Sequence, residues 1–295
     1  MTKPTIGFIG LGLMGGNMAE CLQKNGYDLV VMGRNRDAVA KVVTRGGREV
    51  STAKDLAGAS DIVMLCVTTS EVVESLIYGS DGILAGIKPG CVVIDYGTSI
   101  PASTQKIGAD LAAVGAGMID APLGRTPAHA RDGLLNIMAA GDIETFEKVK
   151  PVLDVQGENV FYLGALGAGH TTKLINNFMG MTSVCAMSQA FAVADRAGVD
   201  RQQLFDILSA GPSNSPFMQF CKNYAVDGVS DLGFSIVNAH KDLGYFVQLV
   251  SDLGTKAPIA EGAHENLGAA MDLGLGDRNV PEIFDFFLQS GETAQ

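Results

Sequence analysis

A doubly wound, mostly parallel α/β sheet followed by an all-helical half is the architecture this sequence predicts. Three observations lead there. Short apolar runs alternate with helical patterns of about a dozen residues through the first half. A glycine-rich break closes that half, and the remainder has helical periodicity with no convincing strand. The composition agrees: 295 residues, 47% hydrophobic and 18% charged, suffice for a core in each of two domains. They exclude a disordered, collagen-like or disulfide-stapled chain.

Thr5-Ile6-Gly7-Phe8-Ile9 reads as the first strand, stopped by glycine, and residues 14–25 suit a helix. Residues 28–32 form the next strand, and 37–45 a helix ending at Gly46-Gly47. Further strands fall at 62–67, 91–95, 118–120, 134–139 and 160–163, each bounded by Gly, Pro, Asp or Thr. Strands joined by helices in this way make right-handed βαβ units. The texture changes at Gly164-Ala165-Leu166-Gly167-Ala168-Gly169. Beyond it, residues 171–197 lack Gly and Pro except for Gly180, with small and apolar residues on nearly every face. This predicts a long helix, about 170–197, buried on each side. Helical periodicity continues over 201–209, 216–224, 236–253, 260–273 and 281–288. The expected division is an α/β domain, 1–163, and an all-helical substrate and oligomerisation domain, 164–295, with the long helix at the seam.

The net charge of −11 argues against a general binder of nucleic acid or anionic membranes. No run reaches the ~18 apolar residues of a membrane span. Met1-Thr2-Lys3-Pro4 and the short apolar run after it lack the length and cleavage site of a secretory signal. Cys21, Cys66, Cys91, Cys185 and Cys221 are odd in number and never spaced Cys-x-x-Cys, so reduced thiols in a cytoplasmic protein are expected. No His, Cys or carboxylate pair has metal spacing, and no metal is predicted.

Gly10-Leu11-Gly12-Leu13-Met14-Gly15 matches G-x-G-x-x-G between the first strand and the first helix, the setting in which that pattern binds a dinucleotide. The first glycine permits the turn, the second lets a pyrophosphate approach the backbone, and the third lets helix pack on strand. The first half is therefore expected to be a Rossmann-type domain; the alternative is a glycine turn with no ligand. At the end of the second strand, where an NAD site usually carries an acid for the ribose hydroxyls, the chain has Gly33-Arg34-Asn35-Arg36. A guanidinium there suits a 2′-phosphate, so NADP is preferred over NAD, with one of the two arginines able to be a plain surface group.

In Gly167-Ala168-Gly169-His170-Thr171-Thr172-Lys173-Leu174-Ile175-Asn176-Asn177, Lys173 and Asn177 are four apart and share a helix face. Both are costly to bury without partners and should face a cleft. A partly desolvated lysine there can pass a proton to a carbonyl oxygen as hydride arrives, while Asn177 orients it or binds substrate. Without further context, a lysine snorkelling near a helix start is the commoner case. His170 reads as a cap or solvent-facing group, His240 as packing at the seam, and His264 has no partner in sequence.

These stretches together resemble the β-hydroxyacid dehydrogenase family, which includes 3-hydroxyisobutyrate dehydrogenase and tartronate semialdehyde reductase. Phe8 to Gly15 is similar to its cofactor motif, and Asp120-Ala121-Pro122 to the start of its substrate motif. Gly169 to Asn177 resembles its catalytic helix, and Lys241-Asp242-Leu243 a late cofactor-side motif. The resemblance implies Lys173 as acid/base, Asn177 in the substrate site, Thr98 between nicotinamide and substrate, and Lys241 near the cofactor. Lys173 also separates the chain from imine reductases of the same fold, which usually lack it. Dimers or tetramers are implied as well.

Two departures stand out. Where the family has Ser-Gly-Gly, this chain has Gly124-Arg125-Thr126, similar to the sulfolactaldehyde reductase branch, whose substrate carries a sulfonate. A guanidinium with the Thr126 hydroxyl would hold an anionic tail firmly; alternatively, Arg125 turns outward to a surface acid. His129 is expected to shape this loop. Where the family has Leu-Pro-Asn over the cofactor, the chain has Val67-Thr68-Thr69-Ser70, whose hydroxyls can meet ribose or nicotinamide. The expected activity is NADP-dependent interconversion of a small acidic semialdehyde and its β-hydroxyacid, in a cleft between the domains. The rivals are a sulfonate substrate and a non-catalytic NADP sensor.

Overall fold

The computed structural model describes residues 3–290; Met1 and Thr2, read above as part of the N-terminal stretch, lie outside the described residues. The chain divides into two compact units, Met1–Lys173 and Leu174–Gln295, the division falling inside the long helix and not at the glycine-rich break.

The strands of the first unit are β1 (Ile6–Ile9), β2 (Leu29–Met32), β3 (Arg48–Glu49), β4 (Ile62–Leu65), β5 (Val92–Asp95), β6 (Gly117–Asp120), β7 (Leu123–Gly124), β8 (Leu135–Gly141) and β9 (Gly157–Tyr162). They form one sheet in the order β3-β2-β1-β4-β5-β6-β8-β7, with β9 paired to β8. The β1 to β6 part is parallel, whereas β8 runs antiparallel to β6 and β7. Strand order reverses between β1 and β4, so the loops after these two strands open a crevice at the sheet's carboxyl edge.

Helices α1 (Leu13–Lys24), α2 (Arg36–Thr44), α3 (Ala53–Gly58), α4 (Ser70–Tyr78), α5 (Pro101–Ala113), α6 (Pro127–Asp132) and α7 (Ile143–Gln156) complete this unit. The pleat sorts its core into two layers. Phe8, Val31, Met64 and Ile94 pack with Met18, Leu22 and Leu153, while Ile9, Val30, Val63 and Val93 pack with Leu56, Ile77 and Leu111. Strands apolar on both faces need helices on both faces, which is why the sheet is doubly wound.

α8 (Ala168–Arg196) leads into the second unit, followed by α9 (Arg201–Ser209), α10 (Pro216–Ala225), α11 (Ile236–Asp252), α12 (Pro258–Asp272) and α13 (Ile283–Gln289). Its core gathers Val184, Phe191, Ile236, Leu243, Leu267 and Ile283. Among the described residues, no helix is long and apolar enough to cross a membrane.

Three expectations change. β3 and β7 were not anticipated, because two residues carry no periodicity. The 281–288 segment is a 3₁₀ turn, Val280–Glu282, under an Asn279 capping box, before α13 begins. And α8 is not covered on every face, since Ile175, Met179 and Val193 are each about half exposed, at 48%, 58% and 60%.

Candidate active site

Every cofactor-side residue expected from the sequence in the first unit follows the carboxyl end of a strand. Gly10, directly after β1, has φ +100, and a Cβ on it would overlap the Cys66 carbonyl oxygen, so glycine alone fits. Gly12 is the N-cap of α1 in extended conformation, with nothing within 4 Å of where a Cβ would stand. α1 receives no side-chain cap, whereas α2, α3 and α4 are capped by Asn35, Thr52 and Thr69. Leu11 is buried beneath the loop, Met14 is half-buried, and Leu13 is exposed at the first helical position. Open room, uncapped N–H groups and a water-exposed leucine are the features a bound dinucleotide would cover.

After β2, Arg34 and Arg36 part company. Arg36 is held bidentate by Glu49 of β3, at 2.6 and 2.9 Å. Arg34 is exposed and has no such partner among the described residues. The Asn35 Oδ1 accepts from the Ala38 N–H, so its carbonyl group is used in capping. After β4, Val67 is half-buried, Thr68 is exposed and the Thr69 oxygen accepts from Val72 N–H. Cys66, below the glycine loop, has its thiol pushed up to about 12 by desolvation and is no nucleophile.

After β5, the loop with Thr98 is pinned from both sides. The Asp95 carboxylate accepts from the Gly97 N–H and the Ser99 hydroxyl, each at 2.8 Å. The Ile100 N–H donates to Ser70, also at 2.8 Å. After β6, Asp120 accepts from the N–H groups of Gly167 (2.8 Å) and His170 (2.7 Å), which seats the first turn of α8 on the sheet. Lys173, half-buried, lies one turn further along α8.

His170 is neither cap nor solvent group: it is fully buried, correcting the sequence expectation. Its Nδ1 lies 2.8 Å from the Thr104 hydroxyl. Burial raises the Asp120 carboxyl above its ordinary value, against the opposing pull of the imidazole. Among the described residues, no three His, Cys, Asp or Glu side chains are arranged to hold a metal ion.

The substrate-loop residues are already engaged. Arg125 adopts φ 76, the only described non-glycine residue with positive φ. Its guanidinium donates to the Leu134 carbonyl at 2.7 Å and pairs closely with Glu158. Glu158 is the extra residue at the β8–β9 register shift, a bulge that aims its carboxylate outward. The Thr126 hydroxyl lies 2.7 Å from Nδ1 of His129, and Gly124 pairs with Asn136 in β8.

In the second unit, Asn177 is buried and donates to the Asp242 carboxylate at 2.6 Å. Lys241 lies 2.7 Å from the other Asp242 oxygen and 4.8 Å from the Tyr245 ring. The sequence signals missed here were Asp95 and Asp242: an acid closing a wholly apolar strand, and an acid beside a lysine on an apolar helix face, both of which need a donor once buried. His240 and His264 stack at 3.9 Å, so His264 does have a partner.

Residues 5–164 match the family described as the NAD binding domain of 6-phosphogluconate dehydrogenase. Residues 167–286 match the one described as NAD-binding of NADP-dependent 3-hydroxyisobutyrate dehydrogenase. With the glycine loop at the sheet's switch point, these define an NAD(P)-dependent oxidoreductase acting on CH–OH donors. The chain belongs to the β-hydroxyacid dehydrogenase family.

It is 28% identical to 2-(hydroxymethyl)glutarate dehydrogenase of Eubacterium barkeri, over 96% of this chain and 95% of that one. It is 29% identical to 3-sulfolactaldehyde reductase of Escherichia coli strain K12, over 95% and 94%. Among solved structures, 3-hydroxyisobutyrate dehydrogenase of Mycobacterium tuberculosis with L-serine superposes with a TM-score of 0.87. That pair is 25% identical, covering 97% of this chain and 99% of the other.

Proposed function

We propose that this dehydrogenase uses NADPH to reduce a small anionic semialdehyde, and NADP to oxidise the matching β-hydroxyacid, with Lys173 as the proton carrier. The observation that carries this reading is the seating of α8: Asp120 fixes its first turn on the carboxyl end of β6, and Lys173 follows one turn on. The cofactor supplies hydride to the carbonyl carbon. Lys173 gives its proton to the carbonyl oxygen in reduction and takes it back in oxidation. Gly10, Gly12 and the first turn of α1 would hold the pyrophosphate; Thr68 and Thr98 would meet the ribose and nicotinamide side. Asn177, fixed by Asp242, presents an amide one turn beyond Lys173 on the same helix. The half-exposed stripe of Ile175, Met179 and Val193 supports assembly as a homo-oligomer.

Arg34 is the 2′-phosphate reader in this proposal, because Glu49 already neutralises Arg36. Arg34→Ala is expected to raise the KM for NADPH by roughly tenfold or more, the worth of a charge-assisted contact, while leaving NADH unchanged. Steady-state rates with both cofactors read this directly. An unchanged NADPH/NADH ratio would remove Arg34 from the role.

A sulfonate tail is the second reading, favoured by Arg125. The tail must compete with Glu158 for the guanidinium. That ion pair is part-exposed, and such pairs contribute only about 0–1 kcal/mol, so a substrate oxyanion can displace the carboxylate. The deciding experiment measures NADPH oxidation on three- and four-carbon semialdehydes bearing carboxylate, sulfonate or neutral tails, for the wild type and Glu158→Gln. Removing the competitor should lower KM up to about fivefold for the anionic tails alone. Equal KM values in the two proteins would mean that Arg125 only braces its loop. Absence of turnover across the panel would overturn the semialdehyde reading.

A further inference from the structure

Asp95 and Asp120 are paired residues on neighbouring parallel strands, and both side chains are fully buried. Two buried carboxylates so close repel each other unless a cation or donors compensate. The imidazole of His170 lies within ion-pair range of both, with Nε2 3.7 Å from Asp95 Oδ2 and Nδ1 3.8 Å from Asp120 Oδ2. His170 Nε2 is itself buried without a hydrogen-bond partner.

The hydroxyl of Thr104 determines which nitrogen carries hydrogen. It lies 2.8 Å from Nδ1 and 3.2 Å from the Ile100 carbonyl. When the hydroxyl donates to Nδ1, the neutral ring has its hydrogen on Nε2. That hydrogen sits on the nitrogen 3.7 Å from Asp95 Oδ2. Asp95 Oδ1 accepts from Gly97 N–H and Oδ2 from the Ser99 hydroxyl.

We infer that His170 is a positioning residue: its Nε2 edge, 3.7 Å from Asp95, attracts that carboxylate electrostatically and through it steadies the Gly97-to-Ser99 turn that presents Thr98, linking that turn to the first turn of the Lys173 helix. The inference rests on the dehydrogenase reading only for its effect on turnover. The His170–Asp95 contact adds to the pairing of β5 with β6 and to the Thr104–His170 and Gln105–Leu166 contacts, and of these it alone acts on the carboxylate that caps the Thr98 turn. A displacement of the reacting groups by about 1 Å can cost roughly a hundredfold in rate.

The test compares two variants that each keep half of the imidazole. His170→Gln can place an amide N–H where Nε2 stood, facing Asp95; His170→Asn reaches only toward Thr104. His170→Asn should lose roughly tenfold to a hundredfold in kcat with NADPH affinity unchanged, and His170→Gln should stay within about threefold of the wild type. Equal kcat in the two variants, high or low, would overturn the positioning role. The chain has four histidines, so ¹⁵N side-chain spectra of the wild type are assignable and need no turnover. The His170 Nε2–H resonance should be present and should move in Asp95→Asn. An unprotonated Nε2, or a resonance indifferent to Asp95, would overturn the link whether or not a semialdehyde substrate is found.

Discussion

Lys173→Ala is expected to lower kcat about a thousandfold, the usual worth of a positioned general acid, while NADPH affinity stays within about twofold. The carbonyl oxygen gains negative charge as hydride arrives, and a proton delivered in the same step removes the cost of that charge. In the proposed role Lys173 acts from one turn beyond an N-terminus fixed by two hydrogen bonds to Asp120. Lys173→Arg separates charge from proton transfer. A guanidinium keeps the positive field but does not give up its proton near neutral pH, so this variant should also lose at least about a hundredfold. Steady-state kinetics, with NADPH titrated by its fluorescence, reads both quantities. Activity in Lys173→Ala within tenfold of wild type would mean that another group, or water, supplies the proton.

The second large effect lies in the glycine loop, where two alanines three residues apart should fail in opposite ways. Gly12→Ala meets nothing within 4 Å and keeps an extended backbone any residue can adopt, so thermal stability should not change. The methyl would occupy the space through which a pyrophosphate reaches the N-terminus of α1, so NADPH affinity should fall at least roughly a hundredfold. Gly15→Ala overlaps the Gly10 carbonyl oxygen and comes within 3.0 Å of the Phe8 ring. Helix and strand must separate, an overpacking cost of about 1–3 kcal/mol, and the melting temperature should fall by several degrees before ligand enters the question. Calorimetry and NADPH titration of the pair check both. Undiminished NADPH affinity in Gly12→Ala would remove the dinucleotide from this loop.

How much of this was legible varied with the range of the contact. The strand–helix alternation, the glycine loop and the Lys173–Asn177 face all rest on residues a few positions apart, where backbone geometry alone sets which groups meet. The long helix was also legible, but its covering was not: Ile175, Met179 and Val193 have the same apolar character whether or not a neighbour packs on them. Arg125 shows the limit clearly. Its planar charge suggested an anion site, yet its partner here is Glu158, 33 residues on and aimed by a β-bulge that leaves no periodic signature. Arg36 met a similar partner in Glu49, on a strand of two residues.

The sequence by itself determined the class of fold and singled out the glycine loop and Lys173 as candidates for the site, because these depend on period, turn chemistry and residue type. Tertiary structure alone decided which charges remain available. Glu49 takes Arg36 and leaves Arg34; Glu158 takes Arg125; the ends of β5 and β6 bring Asp95 and Asp120 together around a histidine that reads in sequence as a surface group. A side chain's chemistry is written in its residue type. Its charge balance and burial depend on residues far along the chain, which only the folded sheet and its helices bring within a few ångströms.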